Sequence, residues 1–548
     1  MKIVIGNKFA GAGTNATPAV VKALEESAAG DEICFEPAEY HFYTAGARAS
    51  FFRACYQSGG EKRLKRVAFP VYGKKDLTLN GQGARFVFHD GVYPFALVNS
   101  EQVTLKNFSC DTFLPPVAVA TVEHADDDRF VLRFNEAAPR VRDDGRGHFI
   151  VERETGEYNS AKMRFSVHSL DRLKIRYLYA GNSNVSREGL PAGYFSTDAE
   201  VDGKNAVFRY RADTNARSPY SVGERICLNL EESRERCLFF LDFCRNVTIS
   251  DISVCHGAGM GVMALVCRDL TVERFRYDAE RYADGISTTA DVFHLINCTG
   301  LATIRECDFG NSLDDILNLH GNYTVTDAWD GEWLTVAYGH RAHRGFDPYR
   351  AGDRVRWIDP ETSEILAEGT VRKRATYVGT GRERLRMPVR VEYGAERIAP
   401  GQLVELPEKM PDLLLENNRF YSFPHIRLSG GGTMRVLNNR FSDCACAIHV
   451  QDLWKYWYES GRVRSLEIVG NRFERCSSLN AGEHKADVRI GEAGEPALLY
   501  RGIRIAKNTF TGVLGLAVRA YGAEVTTGGN LFNDRAEIPD DPMIQINK

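Results

Sequence analysis

One short phrase recurs along the chain and constrains the fold more than any other feature. It is an apolar or β-branched triplet, a small gap, then Asn-x-Phe or a close variant. It stands at Val103-Thr104-Leu105 before Asn107-Phe108, and at Leu413 to Leu415 before Asn418-Arg419-Phe420. Val436-Leu437 precede Asn439-Arg440-Phe441, and Leu466-Glu467-Ile468 precede Asn471-Arg472-Phe473. Ile503-Arg504-Ile505 precede Asn508-Thr509-Phe510, and Asn530-Leu531-Phe532 closes the series. Variants without the Asn are Val247-Thr248-Ile249 with Ile252, Leu270-Thr271-Val272 with Phe275, and Thr303-Ile304 with Phe309. Several intervals are 21 to 23 residues, as from Asn418 to Asn439 or Val247 to Leu270. Short strands at that period, with Asn at the corners, predict the stacked coils of a right-handed parallel β-helix. The corner Asn is expected in the left-handed conformation, bonding to its neighbours up and down the stack.

Two stretches break the period. After Pro115-Pro116, residues 117–236 alternate apolar and polar positions, as in Arg129-Phe130-Val131-Leu132-Arg133-Phe134. Residues 324–411 do the same, as in Asp353-Arg354-Val355-Arg356-Trp357-Ile358. Both read as inserted antiparallel β modules of barrel type. The chain thus divides into an N-terminal cap with the first coils (1–116), an insertion (117–236), central coils (237–323), a second insertion (324–411) and the last coils (412–548). A helix over Pro18 to Ala28, capped by Thr17, is expected to close the open end of the stack.

Composition excludes little but is consistent. The net charge of −4 lacks the basic stripe of a nucleic-acid binder. No run of 18 apolar residues predicts a membrane-spanning helix. The apolar stretch Ile3 to Ile5 is too short for a signal-peptide core, so a cytoplasmic protein is expected. The 13 cysteines form no Cys-x-x-Cys pair and are expected as buried thiols; Cys444 and Cys446, two apart, also permit a metal or redox site. The oligomeric state is open, a homo-oligomer included.

Chemistry concentrates in two consecutive coils. One reads Gly285-Ile286-Ser287-Thr288-Thr289-Ala290-Asp291-Val292-Phe293-His294. The next reads Asn311-Ser312-Leu313-Asp314-Asp315-Ile316-Leu317-Asn318-Leu319-His320-Gly321-Asn322. Stacked strands lie ~4.8 Å apart, so Asp291 and Asp314, 23 residues apart, are expected as neighbours with Asp315 beside them. Repulsion within such a trio favours one protonated and one ionised carboxyl. Glycosidic hydrolysis needs that pair, set ~6.5–9.5 Å apart in an inverting enzyme. Calcium binding or a solvated corner would also account for the acids. His256, His294 and His320 lie on the same coils, as substrate contacts or as satisfied structural histidines. In Trp454-Lys455-Tyr456-Trp457-Tyr458-Glu459, a strand would put Trp454, Tyr456 and Tyr458 on one face and Lys455, Trp457 and Glu459 on the other. Flat aromatics stack on sugars and Glu459 could accept sugar hydroxyls; packing between coils is the alternative.

At these residues the sequence resembles glycoside hydrolase family 110, the inverting exo-acting α-galactosidases. The matching phrases are Ser287-Thr288-Thr289-Ala290-Asp291, Leu313-Asp314-Asp315-Ile316-Leu317-Asn318-Leu319-His320-Gly321 and Trp457-Tyr458-Glu459-Ser460-Gly461. Phe35-Glu36-Pro37-Ala38-Glu39-Tyr40-His41-Phe42 is similar to that family's first strand. The resemblance runs the length of the β-helix and includes β-barrel insertions. It implies cleavage of terminal α-1,3-linked galactose from an oligosaccharide, without a metal or other cofactor. It also implies Asp291, Asp314 and Asp315 as the catalytic set. Asn318, inside the second phrase, joins His256, His294, His320, Trp457 and Glu459 as candidate substrate contacts. The Asp, then Asp-Asp one coil later, also resembles family 28 polygalacturonases. By that analogy Asp314 is the general acid, and Asp291 and Asp315 serve as base. The Gly-His-Gly and Arg-x-Lys signatures of those pectin enzymes are not evident. A polygalacturonase-like hydrolase or lyase, and a non-catalytic carbohydrate-binding β-helix, remain the competing readings.

Overall fold

The computed structural model describes residues 1–52, 63–115, 117–126, 221–229, 236–257, 259–278, 286–379, 383–477, 486–496, 499–512, 515–533 and 544–547. Between 129 and 210 it describes the strands of the first insertion. The molecule is a right-handed parallel β-helix with antiparallel β insertions, as the repeat predicts. Its coils stack through parallel ladders. Arg245–Val254, for example, lies between Glu101–Thr112 on one side and Arg268–Tyr277 on the other. A left-handed residue bends each long strand, which gives the coil three faces; Asp251 (φ 54°) and Arg274 (φ 49°) are two such hinges.

The Asn of the repeat turns inward rather than forming the bend. Asn418, Asn439, Asn471 and Asn508 are buried, and the left-handed residue is the one before each: Asn417, Asn438, Gly470 and Lys507. This corrects the expectation of a left-handed Asn at these four positions, while Asn107 (φ 61°) does form the bend as expected. Bending at the preceding residue frees the Asn amide to bond along the stack. Asn418 Nδ2 donates to Asn439 Oδ1 (2.9 Å), Asn439 to Asn471 (3.0 Å), Asn471 to Asn508 (3.1 Å) and Asn508 to Asn530 (3.1 Å). Each Nδ2 also donates to a backbone carbonyl of the preceding coil, as Asn471 does to Val436 (2.8 Å). Two residues on, the phenylalanines stack in a second ladder: Phe473 on Phe510 at 4.7 Å and Phe510 on Phe532 at 5.5 Å between ring centres. Buried amides without partners would cost about 1–3 kcal/mol each, so the ladder makes the coil register specific.

The capping helix spans Thr17–Glu26, starting one residue earlier and ending two residues earlier than expected. Thr17 is not its cap. Asn15 Oδ1 accepts from Thr17 N (3.0 Å), while Thr17 Oγ1 exchanges hydrogen bonds with the Tyr43 backbone. Eleven cysteines, Cys444 and Cys446 among them, are buried thiols, and burial pushes the Cys444 and Cys446 thiols up, the latter to about 12. Such thiols pack as small apolar groups.

Strands of the first insertion run from Val117–Ala125 to Arg225–Asn229 in an antiparallel sheet. In the second, Thr324–Trp329, Trp333–Tyr338, Arg384–Tyr393, Ile365–Val371, Arg354–Ile358 and Leu403–Glu405 pair in a ring that closes into a barrel. Its interior holds Trp357, Leu334, Leu385 and Val404. Among the described residues no helix is long and apolar enough to cross a membrane.

Candidate active site

The site stands on the outer side of one parallel face, where strands alternate core and outward residues. In Phe293–Ile296, Phe293 and Leu295 enter the core while His294 points out. In Leu317–Asn322, Leu317 and Leu319 enter the core while Asn318 and His320 point out. In His425–Ser429, Ile426 and Leu428 enter the core while Arg427 points out. The register stacks His294 on Asn318 and Asn318 on Arg427. The three aspartates sit just before two of these strands, at the corner where each coil turns onto this face. Gly285, which opens the first sequence phrase, lies outside the described residues.

Carboxylate oxygens of Asp291, Asp314 and Asp315 all lie within 4.8 Å of one another, so the structure brings the trio together. The register differs by one residue from the sequence expectation. Thr288 pairs with Ser312 and Phe293 with Leu317, so Asp291 stands level with Asp315, not Asp314. The oxygens are also closer than the ~6.5–9.5 Å expected of an inverting pair, because direct coil stacking leaves only ~4.8 Å between strands. Asp291 and Asp315 are buried, and Asp314 is partly exposed. The Asp315 backbone N–H donates to Asp314 Oδ1 (3.1 Å), and Asp314 N–H to Ser312 Oγ (3.3 Å).

The next coil supplies Asp315 with two partners. Arg427 Nε donates to its Oδ2 at 2.8 Å, and His425 Nδ1 lies 3.1 Å from its Oδ1. Burial pushes the Asp315 carboxyl up, but Arg427 and His425 outweigh it and hold the group below its ordinary value. Sequence reasoning missed both residues. The second insertion hides the coil spacing, since 112 residues separate Asp315 from Arg427. The available signal was Pro424-His425-Ile426-Arg427, with charge on alternate positions immediately after a repeat phrase.

His294, His320, Asn318 and Glu459 form one buried polar group. His294 Nδ1 lies 2.6 Å from Asp291 Oδ2, and its Nε2 lies 2.9 Å from His320 Nε2. The other nitrogen of His320, Nδ1, donates to the Gly321 carbonyl at 2.7 Å. Glu459 Oε1 is 3.7 Å from His320 Nε2 and 3.5 Å from Asn318 Nδ2. Glu459 arrives on a two-residue strand, Glu459–Ser460, antiparallel to Gly321-Asn322. Gly461 permits that approach: a Cβ there would stand 1.5 Å from the Ser429 carbonyl oxygen.

Two further predicted contacts have partners of their own. His256, one coil before Asp291, pairs its Nδ1 with Asp111 Oδ1 (2.9 Å), and Asp111 also pairs with Arg85 (2.5 Å). The aromatic run is a turn rather than a strand, so the expected alternation fails. Tyr458 is left-handed (φ 57°). Trp454 and Tyr458 pack against Tyr323, Ile358 and Leu403 at the root of the barrel. Trp457 lies partly buried with its ring 4.8 Å from that of His340. Packing against the second insertion overrides strand geometry here.

The donor atoms of each cluster lie within 4.8 Å of one another, and contacts among side chains engage part of each set. Two imidazole nitrogens at 2.9 Å are closer than two ligands on one ion at ~2.0–2.1 Å each would stand in a tetrahedral shell. Arg427 and His425 already balance Asp315. The arrangement therefore offers carboxyls in different environments around one point, which suits proton donation and withdrawal at a glycosidic bond.

No protein-family model matches the chain. The chain is 27% identical over 512 residues to alpha-1,3-galactosidase A of Shewanella woodyi, covering 91% of this chain and 80% of that protein. It is 26% identical over 485 residues to alpha-1,3-galactosidase A of Streptomyces avermitilis, covering 85% and 76%. Among solved structures, the polygalacturonase of Erwinia carotovora aligns with a TM-score of 0.43 at 8% identity, covering 100% of this chain and 96% of that one. Across most of its length, then, this chain is similar to proteins named alpha-1,3-galactosidase.

Proposed function

We propose that this protein is an exo-acting glycoside hydrolase of the family 110 type. It removes terminal α-1,3-linked galactose from a glycan with inversion at the anomeric carbon. The observation that carries the reading is the convergence of Asp291, Asp314 and Asp315 within 4.8 Å at one corner of the coil. The similarity to α-1,3-galactosidases supplies the sugar and linkage.

Asp314, the partly exposed member, protonates the glycosidic oxygen as the bond to the anomeric carbon breaks. Asp315, kept ionised by Arg427 and His425, draws a proton from the attacking water, with Asp291 holding that water from the other side. The water's oxygen bonds to the anomeric carbon from the face opposite the leaving group. Asn318 Nδ2 and Glu459 Oε1, 3.5 Å apart beside the histidines, are the candidate contacts for sugar hydroxyls.

The close approach of the carboxylates favours one second reading, a retaining mechanism, whose carboxyls stand ~5–5.5 Å apart. Proton NMR of galactose released from Gal-α-1,3-Gal decides. β-Galactose appearing first supports inversion, α-galactose first means retention, and no release by the wild-type protein overturns the galactosidase reading.

A further inference from the structure

We propose that His294 and His320 are positioning residues: a proton-bearing chain that fixes the Asp291 carboxylate, instead of substrate contacts. This deepens the galactosidase reading and rests on it only for the kinetic arm of the test.

The argument is a count of protons. Two hydrogen bonds and an ion pair follow one another: Gly321 O with His320 Nδ1 at 2.7 Å, His320 Nε2 with His294 Nε2 at 2.9 Å, and then His294 Nδ1 beside Asp291 Oδ2 at 2.6 Å. A carbonyl oxygen supplies no proton, so His320 Nδ1 carries one. Two nitrogens at 2.9 Å need one proton between them. A nitrogen and a carboxyl oxygen at 2.6 Å attract only if one of them is protonated. Three contacts therefore need three protons, and two neutral imidazoles supply two. The third proton lies at the His294–Asp291 contact, where an ion pair places it on the ring.

His294 carries the resulting charge because it is the ring 2.6 Å from a carboxylate. Burial pushes the imidazolium of His320 down, more than the nearby Glu459 raises it, which favours the neutral ring with Nε2 as the acceptor. His343, packed nearby from the second insertion, is pushed well below its ordinary value by burial and adds no competing positive charge. His294 then carries a proton on both nitrogens, donating to His320 from Nε2 and pairing by charge with Asp291 at Nδ1. Both rings are completely buried, His294 1% and His320 0% exposed, which leaves little ring surface for a sugar. Asp291 and Asp315 become matched, each ionised against its own cation, with His294 doing for one what Arg427 does for the other.

Ring nitrogen NMR of protein labelled with 15N-histidine tests the proton count without any substrate. Variants His294→Asn and His320→Gln assign the signals. The expected result is two ring N–H groups on His294 and one, at Nδ1, on His320. One N–H on each ring would overturn the proposal. Kinetics on an aryl α-galactoside supply the second arm. Asn places its amide near the Nδ1 position and Gln near Nε2. His294→Asn should therefore keep kcat within about tenfold of wild type, and His294→Gln should lose roughly 100-fold or more, with KM little changed in both. Equal losses in the two variants, or a change confined to KM, would overturn it. If the wild-type protein cleaves no galactoside, the proposed function fails, while the NMR result still stands or falls alone.

Discussion

Arg427 Nε lies 2.8 Å from Asp315 Oδ2, although 112 residues separate the two in the chain. One coil of the β-helix spans that gap, because the whole second barrel is inserted between them. The pair links the repeat architecture to the chemistry: the coil after the aspartates neutralises the one that must stay ionised.

Removing that cation should move the acid limb of the activity profile. Asp315 titrates below its ordinary value because Arg427 and His425 outweigh its burial. In Arg427→Gln only burial and a weaker partner remain, so the carboxyl titrates higher. Activity should then be lost at a higher pH on the acid side, and kcat at the optimum should fall by roughly 100-fold. A profile of kcat against pH checks this, and an unshifted acid limb would remove Asp315 as the base.

Asp314→Asn should separate the acid from the base. A substrate with a good leaving group needs little proton donation, so the variant should retain far more activity on an activated aryl α-galactoside than on Gal-α-1,3-Gal. Asp291→Asn and Asp315→Asn should lose activity on both, by roughly 100-fold or more. Parallel kcat/KM measurements on the two substrates decide it, and equal losses for Asp314→Asn would exclude it as the acid.

The asparagine ladder predicts a stability effect without a catalytic one. Asn471 Oδ1 accepts from Asn439 N and Nδ2, while its Nδ2 donates to Asn508 and to the Val436 carbonyl. Asn471→Ala orphans these groups in the core at about 1–3 kcal/mol each. Thermal unfolding should begin at clearly lower temperature, with kcat below the transition unchanged.

A buried charge cluster joins the second barrel to the helix. Burial pushes the Asp452 carboxyl up to about 8, against the pull of Arg462, and Tyr323 donates to its Oδ2 at 3.0 Å. A carboxyl whose folded-state value is raised favours the folded protein while protonated. That contribution is present at low pH and is lost as pH rises from the ordinary carboxylate range toward 8. Asp452→Asn should flatten the decline. Melting curves from pH 5 to about 8 should converge at the acid end and show the variant more stable at the alkaline end.

Much of the architecture was legible in the chain itself. The spacing of Asn439, Asn471 and Asn508 with Phe441, Phe473 and Phe510 encodes a stack, because only adjacent coils can satisfy buried amides and pair those rings. Alternation of apolar and polar residues marked both insertions, and the density of acids at Asp291, Asp314 and Asp315 marked the corner with chemistry. Tertiary structure decided what local pattern cannot express. A one-residue shift of register set Asp291 opposite Asp315. The return of the chain after the barrel brought His425 and Arg427 to Asp315. Packing against that barrel turned Trp454 to Trp457 away from strand geometry. Periodicity is a property of neighbours in sequence and survives in it. Which charge meets which depends on coils joined through long insertions, and only the folded chain closes that distance.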